Sequence, residues 1–145
     1  MHPESARLTF REMTRDDLDD MALMLGDPEV MTYYPRPKTR DEAVQWIEWN
    51  RALYRTHGYG LWLLSTADDG FVGDCGLTPQ LVDGVTELEV GYHVRPALQG
   101  LGYATEAAAA SRPRQSRHKA PAPRQRVSPS RSRSPARCHS SSARW

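Results

Sequence analysis

The sequence predicts a mixed α/β (α+β) domain with a mostly antiparallel sheet and the element order β-α-α-β-β-β-α. Three observations lead to this prediction. Apolar residues keep helical spacing up to about residue 57, apolar and polar residues then alternate up to residue 94, and glycine-containing turns separate the alternating segments. The 145-residue chain carries all of these patterns before about residue 111.

The first part of the chain contains one short strand and two helices. Arg7–Met13 alternates apolar and polar residues, which predicts a strand. Thr14–Asp17 has the spacing of a capping box, and the helix that follows stops at Gly26. Thr39–Glu42 is a second capping box, so a longer helix is expected from there to about Gly58.

Three strands follow the second helix. Gly60–Thr66 and Phe71–Leu77 flank Asp68–Gly70, which is typical of a hairpin turn. A second turn at Asp83–Gly84 leads into Val85–Val94, where apolar and polar residues alternate. The sequence therefore predicts a meander of antiparallel strands. Within it, Gly73 and Gly76 permit a bulge or a close backbone approach.

Charge divides the chain into a domain, residues 1–111, and a basic tail, residues 112–145. The tail holds nine Arg, one Lys and no acidic residue, a net charge of +10, which leaves −9 for the domain. It also holds eight Ser, five Pro and only two large apolar residues. Such a segment buries too little apolar surface to offset the entropy of ordering, so we expect it to be disordered.

Composition argues against several classes of protein. Cys75 lies in the domain and Cys138 in the tail. No Cys/His cluster has the spacing of a zinc site, so no metal is expected. No segment resembles a signal peptide or reaches the ~18 consecutive apolar residues of a membrane span. These features favour a cytoplasmic protein without a membrane partner; oligomeric state is left open, and an oligomer is compatible with the sequence.

A glycine-containing loop between the last strand and the last helix is the most informative segment. Gln99–Ala104 connects the strand Val85–Val94 to the predicted helix Ala104–Ser111. Glycines let the main chain approach a ligand, and a helix N-terminus presents free N–H groups, which together suit a pyrophosphate. The spacing is neither Gly-x-Gly-x-x-Gly nor the Walker pattern.

The exact residues of this loop resemble a known signature. Gln99-x-x-Gly102-x-Ala104 is similar to the Arg/Gln-x-x-Gly-x-Gly/Ala signature of the GNAT N-acetyltransferases, and the similarity covers roughly residues 7–111. The ribosomal-protein-alanine N-acetyltransferase branch commonly has Trp at the position of Gln99, but the wider text resembles that branch in three segments: Asp27–Met31, Glu89–Tyr92 and Gly102–Ala107.

The resemblance implies the fold, the co-substrate and the residues that bind it. It implies a GNAT-type acyl-CoA N-acyltransferase that takes acetyl-CoA and an amine acceptor, such as a protein N-terminus, an aminoglycoside, an amino acid or a polyamine. It also implies that the Val94 amide contacts the thioester carbonyl. The implied cofactor-binding residues are Val94, Gln99, Gly100, Leu101, Gly102, Tyr103 and Ala104.

The reaction also requires a group that accepts a proton from the amine. Glu89 points to the strand face opposite Leu88 and Val90, where its carboxylate or a bound water can take that proton, and Glu87 is the substitute on the same face. The alternative is a solvated strand carboxylate. His93 shares this face, but a lone histidine of this kind is more often a surface or supporting group.

The tail leaves two explanations open. A complete GNAT domain continues with further strands that the sequence after Ser111 does not show, so we expect the C-terminal strands to be missing and activity to be reduced or lost. Either residues 112–145 are a genuine basic extension, or they are translated out of frame. Read one base later, codons for Arg112–Gln115 permit Asp-His-Ala, an ordinary helical continuation.

Two other functions remain as alternatives to catalysis. The chain can be a non-catalytic CoA-binding remnant, which keeps the loop without the chemistry. It can also bind nucleic acid through the arginines of the tail. The acidic domain and the lack of aromatic residues in the tail other than Trp145 argue against nucleic acid as a partner.

Overall fold

The computed structural model describes residues 3–112 and 125–128, which form one sheet flanked by helices on both faces. The strand order is β1-β2-β3-β4-β5; the first four strands are antiparallel, as predicted, and β5 is parallel to β4. The elements are β1 (Thr9–Arg11), α1 (Leu18–Leu25), α2 (Arg40–His57), β2 (Leu61–Thr66), β3 (Gly70–Val82), β4 (Val85–Val94), α3 (Tyr103–Ser111) and β5 (Gln125–Ser128).

The predicted caps of α2 are confirmed. The backbone N–H of Glu42 donates to the Thr39 hydroxyl at 3.2 Å, and the Glu42 carboxylate accepts the Thr39 N–H at 3.0 Å. Gly58 ends the helix with φ 73°, a left-handed conformation that glycine adopts without strain. Inside the helix, the buried Asn50 side chain accepts the Leu61 N–H at 2.8 Å and so fixes α2 against β2.

The β3–β4 hairpin positions the site. Its turn residues, Asp83 and Gly84, have φ values of 51° and 78°, as a two-residue hairpin turn of this hand requires. Strand β3 continues to Val82, five residues beyond the predicted end at Leu77. Pro79 is tolerated there because the described ladder with β2 ends at Gly76, so its missing N–H costs no bond on that side.

The two faces of this hairpin are covered by different helices. Asp74 and His93 are cross-strand partners on the face of α2, where the Trp46 indole donates to Asp74 at 3.2 Å. Cys75 points to the opposite face and contacts the Ser111 hydroxyl of α3 at 3.4 Å. A Cβ on Gly73 would lie 1.9 Å from the His93 carbonyl oxygen, so only glycine fits this close approach, as the sequence predicts.

Strand β5 corrects one expectation from the sequence. No regular structure was expected in the tail, but Gln125–Ser128 pairs in parallel with Leu88–Gly91 of β4. Backbone pairing needs only N–H and C=O groups and an open strand edge, which composition does not reveal. The remainder of the predicted tail lies outside the described residues.

Candidate functional site

The loop before α3 presents a row of backbone N–H groups. Gly100 and Gly102 have φ values of 80° and 83°, and the exposed Gly102 is the N-cap of α3. Within residues 3–112, the N–H groups from Gly100 to Ala104 donate to no other group, whereas the Glu106 N–H already bonds the Gly102 carbonyl at 3.0 Å. Free N–H groups at a helix N-terminus form an anion-binding surface.

The Gln99 side chain, which the sequence predicts to bind cofactor, connects the loop before α3 to the end of β4. The Gln99 side-chain amide donates to the Val94 carbonyl at 3.1 Å. Residues Arg95–Leu98 close a short turn between them, with the Leu98 N–H bonded to the Arg95 carbonyl at 2.9 Å. Gln99 therefore fixes the distance between the end of β4 and the start of the loop.

Ser5 and Arg7, near the N-terminus, contact the other side of the loop and the first turn of α3, and the sequence did not predict these contacts. Arg7 donates to the Leu101 carbonyl at 3.0 Å and pairs with the Glu106 carboxylate at 2.8 Å. The Ser5 hydroxyl bonds the same carboxylate at 2.6 Å. Hydrogen bonds from Ser5 and then Arg7 lower the pKa of Glu106 below its ordinary value. These contacts join residues about 100 positions apart in the sequence, so no local sequence pattern predicts them.

Tyr103 is held away from the loop's open side. Its ring lies under the Arg7 guanidinium, 4.5 Å from the ring centroid, and its hydroxyl donates to Asp69 at 3.0 Å. The hydrogen bond to Asp69 raises the pKa of the Tyr103 phenol. The Tyr103 hydroxyl is therefore engaged with Asp69, and the predicted role of this residue in cofactor binding would fall to its backbone N–H.

The end of β4 leaves Val94 facing an open edge. The Arg95 N–H bonds the Val72 carbonyl at 2.9 Å, so it points toward β3. Because successive residues of a strand point their N–H groups to opposite sides, the Val94 N–H points away from β3, toward the side of β5. The ladder with β5 ends at Gly91, so within the described residues no strand pairs with Val94 on that side.

The structure places Glu89, Glu87 and His93 on one face of β4 but in different surroundings. Glu89 is half-buried opposite Thr78, and Glu87 is buried opposite Gln80. Glu89 lies five residues before Val94, about 16 Å along an extended strand. The carboxylate that the sequence favours is therefore well separated from the strand end that carries the predicted thioester contact.

His93 is buried in a hydrogen-bonded network, so of the two expectations for it, a surface group or a supporting group, the structure excludes the first. Its Nδ1 lies 2.8 Å from Oδ1 of Asp74, and its Nε2 lies 2.9 Å from the hydroxyl of Tyr34. Trp46 donates to the other Asp74 oxygen at 3.2 Å and packs edge-on to the imidazole, with 5.6 Å between ring centroids. Asp74 is fully buried and His93 is 3% exposed.

A signal for half of this network is present in the sequence. In a hairpin with a two-residue turn, cross-strand partners lie at equal distances from the turn. Counting back and forward from Asp83–Gly84 makes Asp74 the partner of His93, as the structure shows. Tyr34 comes from the loop between α1 and α2, and no periodicity places it.

Cys75 is a poor nucleophile in this setting. Burial raises the pKa of its thiol to about 12, against a smaller lowering by Ser111. The reactive form of cysteine is the thiolate, which such a site does not supply. The geometry therefore favours a site that acts without a cysteine-bound intermediate.

The described residues contain neither a membrane-spanning helix nor a group of side chains suited to a metal ion. No helix among residues 3–112 is long and apolar enough to cross a membrane. No three His, Cys, Asp or Glu side chains in that part of the chain are grouped so that they could hold a metal ion.

Comparison with known proteins gives a family for most of the chain. The acetyltransferase (GNAT) domain matches residues 7–122, which extends past the end of α3. The chain is 37% identical over 97 residues to the uncharacterized protein YkkB of Bacillus subtilis (strain 168). The match covers 66% of this chain and 56% of that protein, so the chain spans little more than half the length of this relative.

Solved structures share the fold at low sequence identity. A putative GnaT-family acetyltransferase from Bordetella pertussis superimposes on this chain with a TM-score of 0.64 and 19% sequence identity. The superposition covers 74% of this chain and 67% of that one. An acetyltransferase from Agrobacterium tumefaciens gives a TM-score of 0.63 and 22% identity, covering 74% and 62%. At these identities the likeness is one of fold.

Proposed function

Because the chain belongs to the GNAT acetyltransferase family, we propose that it transfers an acetyl group from acetyl-CoA to a primary amine by direct attack. The observation that carries this proposal is the position of the free N–H groups of the loop beside the open end of β4. The acceptor is a protein N-terminus or a small-molecule amine, and the ribosomal-protein branch stays a hypothesis about it.

The loop would hold the pyrophosphate of acetyl-CoA. The N–H groups from Gly100 to Ala104 supply donors, and the N-terminal end of α3 supplies a partial positive charge. Arg7 lies beside the loop, so an anion there also meets a guanidinium, although Glu106 already pairs with that charge. Gln99 acts indirectly by fixing the loop to Val94.

The Val94 N–H would meet the thioester carbonyl. It points to the edge that the β5 ladder leaves open, at the strand end that Gln99 joins to the loop. As the amine attacks, negative charge develops on the carbonyl oxygen, and a fixed backbone donor stabilises that charge more in the transition state than in the ground state. This contact supports transfer without an acyl-enzyme.

The attacking amine must first lose a proton. Glu89 and His93 lie on the same face of β4, and each can accept it. Glu89 would need bridging water because of its distance from Val94 along the strand. His93 directly precedes Val94 in the chain and is hydrogen-bonded to Asp74 and Tyr34.

The test measures acetyl transfer by the full chain. Acetyl-CoA is incubated with an Ala-initiated peptide, an aminoglycoside, a free amino acid and a polyamine in turn, while thiol release and N-acetyl product are measured. The proposal expects amine-dependent thiol release with one acetylated product per thiol. Binding of acetyl-CoA without transfer to any amine would favour a non-catalytic CoA-binding protein, and absence of binding would contradict the cofactor site.

A further inference from the structure

A buried chain of three polar side chains lies next to the proposed thioester contact. Asp74 forms its inner end, His93 its centre and the half-buried Tyr34 its outer end, with distances of 2.8 and 2.9 Å between successive polar atoms. The Trp46 indole occupies the second Asp74 oxygen at 3.2 Å. The two inner members are held rigidly, because both are buried and hydrogen-bonded.

These contacts set the direction of the hydrogen bonds. A carboxylate only accepts, so the Asp74 oxygen next to His93 requires the proton on Nδ1. In the neutral imidazole Nε2 is then the acceptor, and the Tyr34 hydroxyl donates its proton to it. A phenol oxygen that donates its proton is also an acceptor, so a tyrosine can take a proton from one group while it gives one to another.

We infer that Tyr34, His93 and Asp74 form a relay that takes a proton from the acceptor amine, an inference that rests on the proposed acetyl transfer. The substrate ammonium gives one proton to the Tyr34 oxygen while the Tyr34 hydroxyl proton passes to Nε2 of His93. The products are a neutral amine and an imidazolium beside the Asp74 carboxylate. That proton later returns to solvent, and the second amine proton leaves with the CoA thiol after the C–N bond forms and the C–S bond breaks.

Position favours this relay over Glu89 as the proton acceptor. His93 directly precedes Val94, whereas Glu89 is about 16 Å away along the strand. A carboxylate beside an imidazole stabilises the imidazolium that forms and fixes its tautomer, which is the arrangement of acid–base triads. Tyr34 is the residue that would touch the amine, and His93 and Asp74 act through it.

Other ionisable groups surround the relay from each packed element. Lys38 lies over the Trp46 ring, with its amine 5.3 Å from the centroid, and Glu89 is on the same face of β4. Tyr54 of α2 interacts electrostatically with Asp74, and burial raises the pKa of the Tyr54 phenol, so it stays neutral. Asp74 is therefore the carboxylate that is hydrogen-bonded to the imidazole.

The test compares Tyr34→Phe and Asp74→Asn with Tyr33→Phe, which removes the same hydroxyl one residue earlier, and with Glu89→Gln. The assay uses the full chain and the amine of the four-compound panel that it acetylates fastest, with acetyl-CoA affinity and thermal unfolding measured for every variant. In Tyr34→Phe we expect kcat near pH 7 to fall on the order of 10²-fold or more. Acetyl-CoA affinity and the Tyr33→Phe rate should stay near the wild-type values.

The pH profile separates proton transfer from a structural role. Without the relay, only neutral amine from solution can react. The loss of kcat in Tyr34→Phe should therefore shrink by roughly tenfold per pH unit as pH rises toward the pKa of the amine, which is about 8 for a peptide N-terminus and about 10 for an alkyl amine. Asp74→Asn should show the same trend, because an amide permits the wrong imidazole tautomer.

Three results with the variants would overturn the relay while leaving the cofactor site intact. The first is a Tyr34→Phe kcat close to that of wild type, and the second is a loss of kcat in Tyr34→Phe that is the same at every pH. The third is a pH-dependent loss of kcat that is larger in Glu89→Gln than in Tyr34→Phe. Wild-type protein that binds acetyl-CoA but acetylates no amine of the panel would also overturn it. Failure to bind acetyl-CoA would contradict the proposed function itself.

Discussion

At the scale of single residues, Glu42 shows how one carboxylate supports the element that covers the site. It completes the capping box with Thr39 and accepts a hydrogen bond from Arg36 at 3.0 Å. The Arg36 hydrogen bond first, and then the Thr39 N–H, lower the pKa of Glu42 from 4.5 to about 2. A carboxylate whose pKa is lower in the folded state stabilises the fold when it is ionised.

This shift predicts an acid-dependent contribution to stability. Glu42→Gln should lower the free energy of unfolding near pH 7, since glutamine keeps the cap but loses the ion pair with Arg36. The difference from wild type should shrink as pH falls from about 4.5 toward about 2, where the wild-type carboxyl becomes protonated. Urea unfolding across this pH range measures it.

Glu29→Gln is the matched control for this experiment. Glu29 is exposed, and its carboxylate makes no hydrogen bond within the described residues. A Glu42→Gln difference that is constant with pH, or that grows in acid, would show that the ion pair does not act through ionisation of Glu42.

At the scale of elements, β5 decides which part of the β4 edge stays open. Its four residues pair with Leu88–Gly91 and leave Tyr92–Val94 beyond the ladder. An exposed strand edge favours association with other chains, so β5 has a protective role as well as defining the open end. The Val94 N–H therefore lies beyond the β4–β5 ladder, in a residue whose side chain is buried in the core.

Proline substitutions in β5 test this pairing. Successive N–H groups of a strand point to opposite sides, so one of Arg126→Pro and Val127→Pro removes a donor to β4. That variant should melt at a lower temperature and associate more readily than wild type, by differential scanning calorimetry and light scattering. Ser130→Pro, two residues past the strand, is the control; equal melting of all three variants would contradict the β4–β5 ladder.

At the scale of the whole molecule, local signals predicted most elements and the antiparallel pairing of the strands, but not the side-chain contacts between distant segments. The Thr39 cap and the Asp83–Gly84 turn are local, so α2 and β4 begin where the sequence predicts. β3 was predicted to end at Leu77 but continues to Val82, and Pro79 is accommodated within it because the neighbouring strand pairs only as far as Gly76. β5 was missed because an open backbone edge leaves no mark in composition.

The site follows the same division. The loop Gln99–Ala104 was predicted because its glycines and helix start are adjacent in sequence, and the structure adds its free N–H groups. The Arg7 contacts and the position of Tyr34 depend on segments far apart in the chain, so no local pattern predicts them. The cofactor-binding roles of the loop residues and the base role of Glu89 stay predictions.

The central claim is that the loop before α3 binds acetyl-CoA, and isothermal titration of the full chain tests it most directly. Wild type is compared with Gly102→Val and with Gly84→Val; both glycines have positive φ, 83° and 78°, so both variants carry similar backbone strain. Gly84 lies in the hairpin turn with open space around its added Cβ, away from the loop. The account predicts that Gly102→Val loses roughly tenfold or more of the wild-type affinity while Gly84→Val keeps it. Equal acetyl-CoA affinity in Gly102→Val and wild type would contradict the account.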